Sequence, residues 1–410
     1  MKTKSVLGFL WPIMFAQAFL GIRIILRLLP STGGVRISAG DALAVDDERA
    51  SVIVPVLNER NRLSSCLEGL INQGAEVAEI VVVDGGSDDD TRQLVCTYAL
   101  RDPRVRLVDA SPIPANRNGK AWGLHVGLLY ANPGSRWILT VDADVRPDTL
   151  LTRALLRKAK QSELSALSIA TLQEIRGVGE GLLHPALLTT LVYRFGAPGR
   201  VFRRVSEVQA NGQCFLFSRD ALEACGGFLE AQNSVCEDVT LARKLVARGY
   251  PVGFYEAGEL ASVKMYAGWR DAWRNWTRSL PMHDQFSGLG TLLGWLEVIL
   301  VQALPLPLFL TLLIVHSRRG WLVALNGILA VMRIGVLFGT ARAYRRRPWS
   351  YWLSPLCDVP VAIQLWRSAL QRRHVWRGRV LVRGETIIPT GNDAGASAAS
   401  QPASRSGGCQ

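Results

Sequence analysis

SVIVPVLNER (51–60), EIVVVDGGSDDD (79–90) and RWILTVDAD (136–144) each run from a block of Val, Ile and Leu into a polar turn bearing carboxylates. With RVRLVD (104–109) they read as buried β-strands, because β-branched runs of this length, bounded by Gly, Asn and Asp, suit a covered sheet. Between them, 60–73, 87–100 and 119–131 carry apolar residues at helical spacing. Strands and helices alternating in this way predict an α/β fold with a mostly parallel sheet and right-handed crossovers. Ligands of such sheets sit beyond the carboxyl ends of the strands. Asp84 and Asp142 stand at two of those ends, which is where chemistry is expected.

The 410 residues are 49% hydrophobic and 20% charged, with a net charge of +13. Disorder is excluded for most of the chain, and the mean hydropathy of +0.16 is high for a soluble enzyme. Seven cysteines, an odd number with no C-x-x-C pair, argue against a disulfide framework or a structural zinc site and suit a reducing compartment. The five His show no ligand spacing, so neither zinc nor a His-based triad is expected. Ten Arg crowd between 342 and 383, after the last long apolar runs. That placement points to a membrane surface. The polar middle lacks interleaved aromatic and basic residues, so no nucleic-acid partner is expected.

The apolar runs organise the rest. Residues 5–22 are almost wholly apolar and suffice for an N-terminal transmembrane anchor; Ala16-Gln17-Ala18 leaves a cleaved signal peptide as the rival reading. Arg23, Arg27 and Arg36 beyond the anchor place that side, and the catalytic region, in the cytosol of a multi-pass protein of the cytoplasmic or thylakoid membrane. Residues 288–315 and 321–341 are long enough to span; Glu297, Gln302, Pro305 and Pro307 in the first are expected to face protein or a polar cavity. Residues 351–370, broken by Pro355, Asp358 and Pro360, are a weaker third candidate, spanning, re-entrant or interfacial. Residues 268–280 place Trp269, Trp273 and Trp276 on one helical face, which fits either the membrane interface or a buried core. The expected organisation is an anchor (1–30), a linker (31–48), the α/β domain (49–267), an amphipathic interfacial helix (268–286), two transmembrane helices (287–341), a basic segment with the third candidate (342–390) and a disordered tail (391–410).

Taken singly, the polar motifs are ambiguous. Asp84, followed by Gly85-Gly86-Ser87, could accept hydrogen bonds from a ribose or a uracil-like base, or could simply organise a turn. Asp142-Ala143-Asp144 can hold Mg²⁺ or Mn²⁺ with a diphosphate. Glu237-Asp238 open a helix, where acids stabilise the macrodipole, but Asp238 could also be a general base. Lys120 after Gly119 could pair with phosphate or with these acids, and Gly212-Gln213 suggest a turn near that base.

The order of the motifs is more telling. Pro55-x-x-Asn58-Glu59, Asp84-Gly-Gly-Ser-Asp, Gly119-Lys120, Asp142-x-Asp144, Gly226-Gly227-Phe228 and Glu237-Asp238 together resemble the family 2 glycosyltransferases of GT-A fold over about residues 50 to 280. The resemblance implies inverting transfer from a nucleotide diphosphate sugar with a divalent metal, Mg²⁺ or Mn²⁺. It implies Pro55, Asn58, Glu59, Asp84, Lys120 and Asp142 at the nucleotide sugar, Asp142 and Asp144 at the metal, and Asp238 as the base. Gly212, Gln213, Glu237, Trp276 and Arg278 would lie near the acceptor or diphosphate. Processive members carry Gln-x-x-Arg-Trp where this chain has Trp273-Arg274-Asn275-Trp276-Thr277-Arg278, so a polymer channel is not expected.

LLTTLVYRFGAPG (187–199), ANGQCFLFSRD (210–220), CEDVTLAR (236–243) and WRGR (376–379), with the terminal apolar runs, look like the bacterial membrane-bound carotenoid glycosyltransferases. The likeness is greatest to the type acting on the 2′-hydroxyl of myxol-like carotenoids; hopanoid and ceramide enzymes are the nearest alternative. An apolar run at 182–195 is either a core helix or the wall of a groove admitting a long lipid acceptor from the bilayer. Two rivals from other classes are a non-catalytic scaffold, which would be expected to have lost a carboxylate, and a nucleotidyltransferase, which would release pyrophosphate.

Overall fold

The runs rich in Val and Ile form strands, and the helical spacings between them form helices, in a computed structural model that describes residues 2–29, 36–42, 48–114, 117–234, 236–279, 288–314, 320–371, 373–376 and 379–382. The strands are β1 (Ala50–Val56), β2 (Val77–Asp84), β3 (Val105–Asp109), β4 (Trp137–Val141), β5 (Val145–Pro147), β6 (Ala166–Gln173), β7 (Arg200–Phe202), β8 (Cys214–Ser218) and β9 (Val252–Val263). The helices are α1 (Lys2–Leu28), α2 (Leu63–Ile71), α3 (Thr91–Arg101), α4 (Gly119–Tyr130), α5 (Leu151–Gln161), α6 (Gly177–Phe195) and α7 (Arg219–Ala224). They continue with α8 (Glu237–Ala247), α9 (Trp269–Ser279), α10 (Gly288–Leu296), α11 (Pro305–Ile314), α12 (Gly320–Thr340) and α13 (Asp358–Leu370). The chain divides into an α/β unit (Ala39–Ser168, Ala210–Val252, Arg372–Gln410) and a helical unit (Met1–Ser38, Ile169–Gln209, Gly253–Gln371).

In the α/β unit the strand order is β3-β2-β1-β4-β8-β6. The first four strands are parallel, as expected, while β8 runs antiparallel to both β4 and β6. The four expected strands and the three helices between them are present, their ends shifted by up to four residues; β5 to β9 lie where no strand was expected. Ile53, Val54, Val81 and Val82 are fully buried, each such side chain contributing about 1.5–3 kcal/mol. Helix α4 lies so close to β1 that a Cβ at Gly127 would stand 2.4 Å from Ile53 Cγ2. The chain leaves β1 toward β2 and β3 on one side and returns to β4 on the other. That reversal opens a crevice at the carboxyl ends of β1 and β4.

Among the described residues of the helical unit, three helices are long and apolar enough to cross a membrane: Trp11–Leu28, Gly288–Ile314 and Gly320–Ala343. Several of their polar residues find partners within the unit. Buried Glu297 accepts from Arg23 Nε at 2.9 Å and Arg27 Nη2 at 3.1 Å. Gln17 donates to the Leu300 carbonyl at 2.9 Å and to Asn326 at 3.1 Å. Gln302 donates to the Ala186 carbonyl and to Asp358, which Arg333 pairs at 2.8 Å. Thus Glu297, Gln302 and Pro305 face protein as expected. Pro307 does not: it is exposed in the first turn of α11, where a missing N–H costs no helical bond and an apolar ring tolerates an outer position. The run at 182–195 is part of α6, a core helix with Leu183, Ala186, Leu187 and Tyr193 buried. The linker residues 31–35 and 43–47, Arg377 and Gly378 of WRGR, and the tail lie outside the described residues.

Candidate active site

The crevice is walled by two loops that lace together. Pro55 pairs with Val83 in the β1–β2 register. Three residues on, Asn58 takes a left-handed conformation (φ 57°), one that Asn tolerates better than most residues. Its N–H donates to Ser87 Oγ at 2.9 Å, its Oδ1 accepts from Asp88 N–H at 3.0 Å, and Glu59 N–H donates to Thr91 Oγ1 at 2.9 Å. Asp84 is fully buried beneath this lacing. It accepts from the N–H groups of Gly86 and Ser87 at 3.2–3.3 Å, from the Ser87 hydroxyl, and from Arg92 at 3.3 Å. The carboxylate at the end of β2 therefore organises the turn that follows it.

At the end of β4 the acids converge on one cation. Asn118 caps α4, its Oδ1 accepting from the N–H groups of Lys120 and Ala121, while its Nδ2 holds the Ser234 carbonyl at 2.8 Å. So positioned, Lys120 Nζ lies 2.7 Å from Asp142 Oδ1 and 2.9 Å from Glu237 Oε1, and donates to the Gly212 carbonyl at 3.1 Å. Burial opposes the charge on Lys120, but the carboxylates of Asp142 and Glu237 more than offset that and hold its pKa above the usual lysine value. The Asp142 N–H donates to the Gln213 carbonyl at 2.9 Å, so the β4–β8 pairing brings Gly212 and Gln213 to the end of β4.

Asp144 and Asp238 are the two acids that this cation does not directly bind. Burial, then the charges of Asp142 and Glu59, pushes the Asp144 carboxyl up to about 7, and its Oδ1 is buried without a hydrogen-bond partner. Asp238 lies in the first turn of α8; its Oδ2 accepts from Gly212 N–H at 2.6 Å and its Oδ1 from Val239 N–H at 2.8 Å. Burial, then the neighbouring charge of Glu237, pushes it up to about 7, with Lys120 opposing. A carboxyl poised near neutrality can take up and release a proton at physiological pH.

Gly212 is needed for this approach: a Cβ there would stand 3.0 Å from Lys120 Nζ and 3.1 Å from Asp238 Oδ2. Gly212→Ala is expected to lower kcat/KM by up to about 100-fold through misplacement of these groups. Steady-state kinetics beside a thermal melt check this; an unchanged kcat/KM would show that the close approach is dispensable.

Trp276 and Arg278 belong to the helical unit, on α9. Trp276 is buried with its ring 3.9 Å from His184, whereas Trp269 is half exposed, so the Trp stripe is core at one end and surface at the other. The Arg278 side chain lies outside the described residues. Sequence reading passed over Asn118 and Arg92. An Asn directly before a helix that opens with Gly-Lys is a capping signal; nothing local marks Arg92 as the partner of Asp84 and Asp109.

Residues 51–226 match Glycosyl transferase family 2. Among curated proteins the chain is similar to 4,4'-diaponeurosporenoate glycosyltransferase of Staphylococcus aureus (strain USA300), 26% identical over 238 residues, covering 56% of this chain and 60% of that protein. The same enzyme from strain MRSA252 matches at 26% over 239 residues, with 56% and 60% covered. The chain thus spans about three fifths of the length of these relatives. Among solved structures it is similar to the mannosyltransferase PcManGT from Pyrobaculum calidifontis in complex with GDP-Man and Mn²⁺ (17% identity, 87% of this chain and 98% of that one, TM-score 0.48). Another is glucosyl-3-phosphoglycerate synthase from Mycobacterium tuberculosis with Mn²⁺, UDP and glucosyl-3-phosphoglycerate (19% identity, 53% and 73% covered, TM-score 0.36). With its strand-end acids gathered in the crevice beside β1 and β4, the stretch 51–226 is a glycosyl transferase family 2 domain.

Proposed function

We propose that the protein is an inverting glycosyltransferase that moves a sugar from a nucleotide diphosphate sugar to a hydroxyl of a membrane-embedded lipid, a carotenoid of myxol type at its 2′-oxygen. The observation that carries the reading is the convergence of Asp142, Lys120, Glu237, Gly212 and Asp238 at one point of the family 2 crevice. Asp238 accepts the proton of the attacking hydroxyl. Lys120 supplies positive charge on the side where negative charge grows on the leaving diphosphate. The turn organised by Asp84, with Asn58 and Glu59, borders the nucleotide.

Asp142 and Asp144 fit Mg²⁺ or Mn²⁺: the orphaned, buried Asp144 Oδ1 is an oxygen ligand in want of a cation. Among the described residues no three His, Cys, Asp or Glu side chains group to hold a metal by themselves, so Asp142 and Asp144 would hold the ion together with the donor's phosphates. A divalent ion there would neutralise charge on the diphosphate as the glycosidic bond breaks. Asp144→Asn is expected to lose Mn²⁺-dependent binding of uridine or guanosine diphosphate in calorimetric titration; unchanged binding removes Asp144 from the metal site.

The carotenoid acceptor is supported by the relative's substrate and by three helices apolar enough to keep a polyene-binding protein in lipid. Arg36, beyond the first of these, and Arg345, Arg346 and Arg347, after the third, favour a cytosolic active site by the positive-inside rule. Mass spectrometry of lipids from a strain lacking the gene tests the acceptor. A carotenoid that loses one sugar while its aglycone accumulates is the expected result. Unchanged carotenoids beside a hopanoid or other glycolipid that has lost its sugar would replace the acceptor and leave the fold-level reading in place.

A further inference from the structure

Residues 349–370 form one continuous helical stretch, 3₁₀ over Trp349–Cys357 and α13 thereafter, which is not among the helices long and apolar enough to cross a membrane. Its two faces differ in kind. One is locked into the helical unit: Arg333 pairs Asp358 at 2.8 Å and donates to Ser354 Oγ at 3.2 Å, while Tyr351 donates to the Leu337 carbonyl at 2.6 Å. Both members of the ion pair are almost wholly buried, so rolling the stretch about its axis would strand a charge in apolar surroundings.

The other face carries Trp349, Trp352, Leu356, Ile363, Trp366 and Leu370, all exposed. Their spacing follows one helical stripe. Single apolar side chains on a surface are ordinary; an aligned stripe of this length marks an interaction site. The stripe is continuous with the outer surface of two candidate spans. The Trp352 ring lies 4.8 Å from that of exposed Phe338 on α12, and Trp366 lies 5.1 Å from Trp295 on α10. Exposed Arg345, Arg346 and Arg347 precede it, and exposed Arg367 stands beside Trp366.

We propose that residues 349–370 lie along the membrane interface, with the apolar stripe seated at the headgroup–acyl boundary of an anionic bilayer and Arg346, Arg347 and Arg367 on lipid phosphates. The proposal rests on the reading that α1, α10–α11 and α12 span the membrane. Trp is the residue that gains most at this depth, because its ring is apolar and its N–H can reach water or headgroups. Basic residues flanking such a stripe add attraction to anionic lipid. The stretch thereby sets the depth at which the helical unit sits.

The test uses the full chain in vesicles of phosphatidylcholine and phosphatidylglycerol whose acyl chains are brominated either near the headgroup or near the methyl end. The fluorescence removed by the triple variant W349F/W352F/W366F is expected to be quenched by the shallow bromines, and little by the deep ones or by aqueous acrylamide. Deep quenching would mean that the segment crosses the bilayer, and acrylamide quenching that it lies in water; either overturns the proposal. Protection from all three quenchers, with a dimer by light scattering, overturns it in favour of a second copy on the stripe. Shallow bromines on phosphatidylglycerol should quench more than the same bromines on phosphatidylcholine, and R346Q/R347Q/R367Q should abolish that difference. Equal quenching by the two lipids in the wild type overturns the phosphate contacts. Wild type washed off the vesicles by alkaline carbonate would sink the spanning reading itself, whereas protein retained with an unquenched stripe would sink this proposal alone.

Discussion

Asp238→Asn is expected to lower kcat by about 10²–10⁴-fold, the range a positioned general base contributes, while the Kd for nucleotide diphosphate moves little. Asn keeps the size of the side chain and one acceptor for the Gly212 N–H, but cannot take the acceptor's proton. The wild-type rate should rise with pH through about 7, because Asp238 is pushed up to about 7 and works only when ionised. The stability consequence has the opposite sign. A carboxyl that titrates near 4 in the unfolded chain and near 7 in the folded one withdraws stability as pH rises between those values. The Asn variant escapes that loss, so its Tm at pH 8 is expected to equal or exceed that of the wild type. A variant that is inactive and also melts early would point to a structural role; retained turnover would remove Asp238 from the base position.

Lys120→Met is expected to act on both stability and donor binding, because buried Glu237 and half-buried Asp142 share this one ammonium group. Removing one partner of a buried ion pair costs about 3–5 kcal/mol, mainly through the charges left behind. Without their cation, Asp142 and Glu237 leave two like charges facing each other, a repulsion that grows as both ionise. The destabilisation should therefore be larger at pH 8 than at pH 5, where protonation relieves it. Thermal melts of the variant and wild type across that range check the sign. An equal loss of Tm at both pH values would mean that packing of the lysine stem, not its charge, holds the site. Binding of nucleotide diphosphate should weaken at both pH values, and Lys120→Arg should restore part of it, because a guanidinium supplies the charge from a different geometry.

Much of the site was legible before the fold. The block WILTV followed by Asp142-Ala143-Asp144 announces a strand with acids at its carboxyl end, since both the β-branched pattern and the turn residues are local signals. Helix α4 begins at the expected residue, whereas β8, only five residues long, gave no period that separates it from a loop. The unread β8 matters, because its antiparallel pairing with β4 delivers Gly212 and Gln213 to Asp142.

The same contrast runs through the helical unit. Residues 288–315 were identified as a candidate span from composition, and the positions of Glu297 and Gln302 within it as costly in lipid. That Arg23 and Arg27 answer Glu297, and that Arg333 and Gln302 answer Asp358, could not be read from any window of sequence. Asp358 looked like a flaw in a third span; its buried ion pair with Arg333 makes it the pin that holds this stretch to the helical unit.

The sequence by itself determined the α/β class, the strand ends that carry the acids, the family to which 51–226 belongs and the candidate spans. Each depends on periodicity or on residues near one another along the chain, and the energies behind them, β-branched burial and helical amphipathicity, act locally. Tertiary structure alone decided that Lys120 clamps Asp142 to Glu237, that Asp144 and Asp238 stand half-buried without a direct contact to it, and that Asp84 spends its oxygens on its own loop. A side chain's partner and the polarity of its surroundings are set by which distant segment folds against it, and charge in a protein interior is governed by those two quantities.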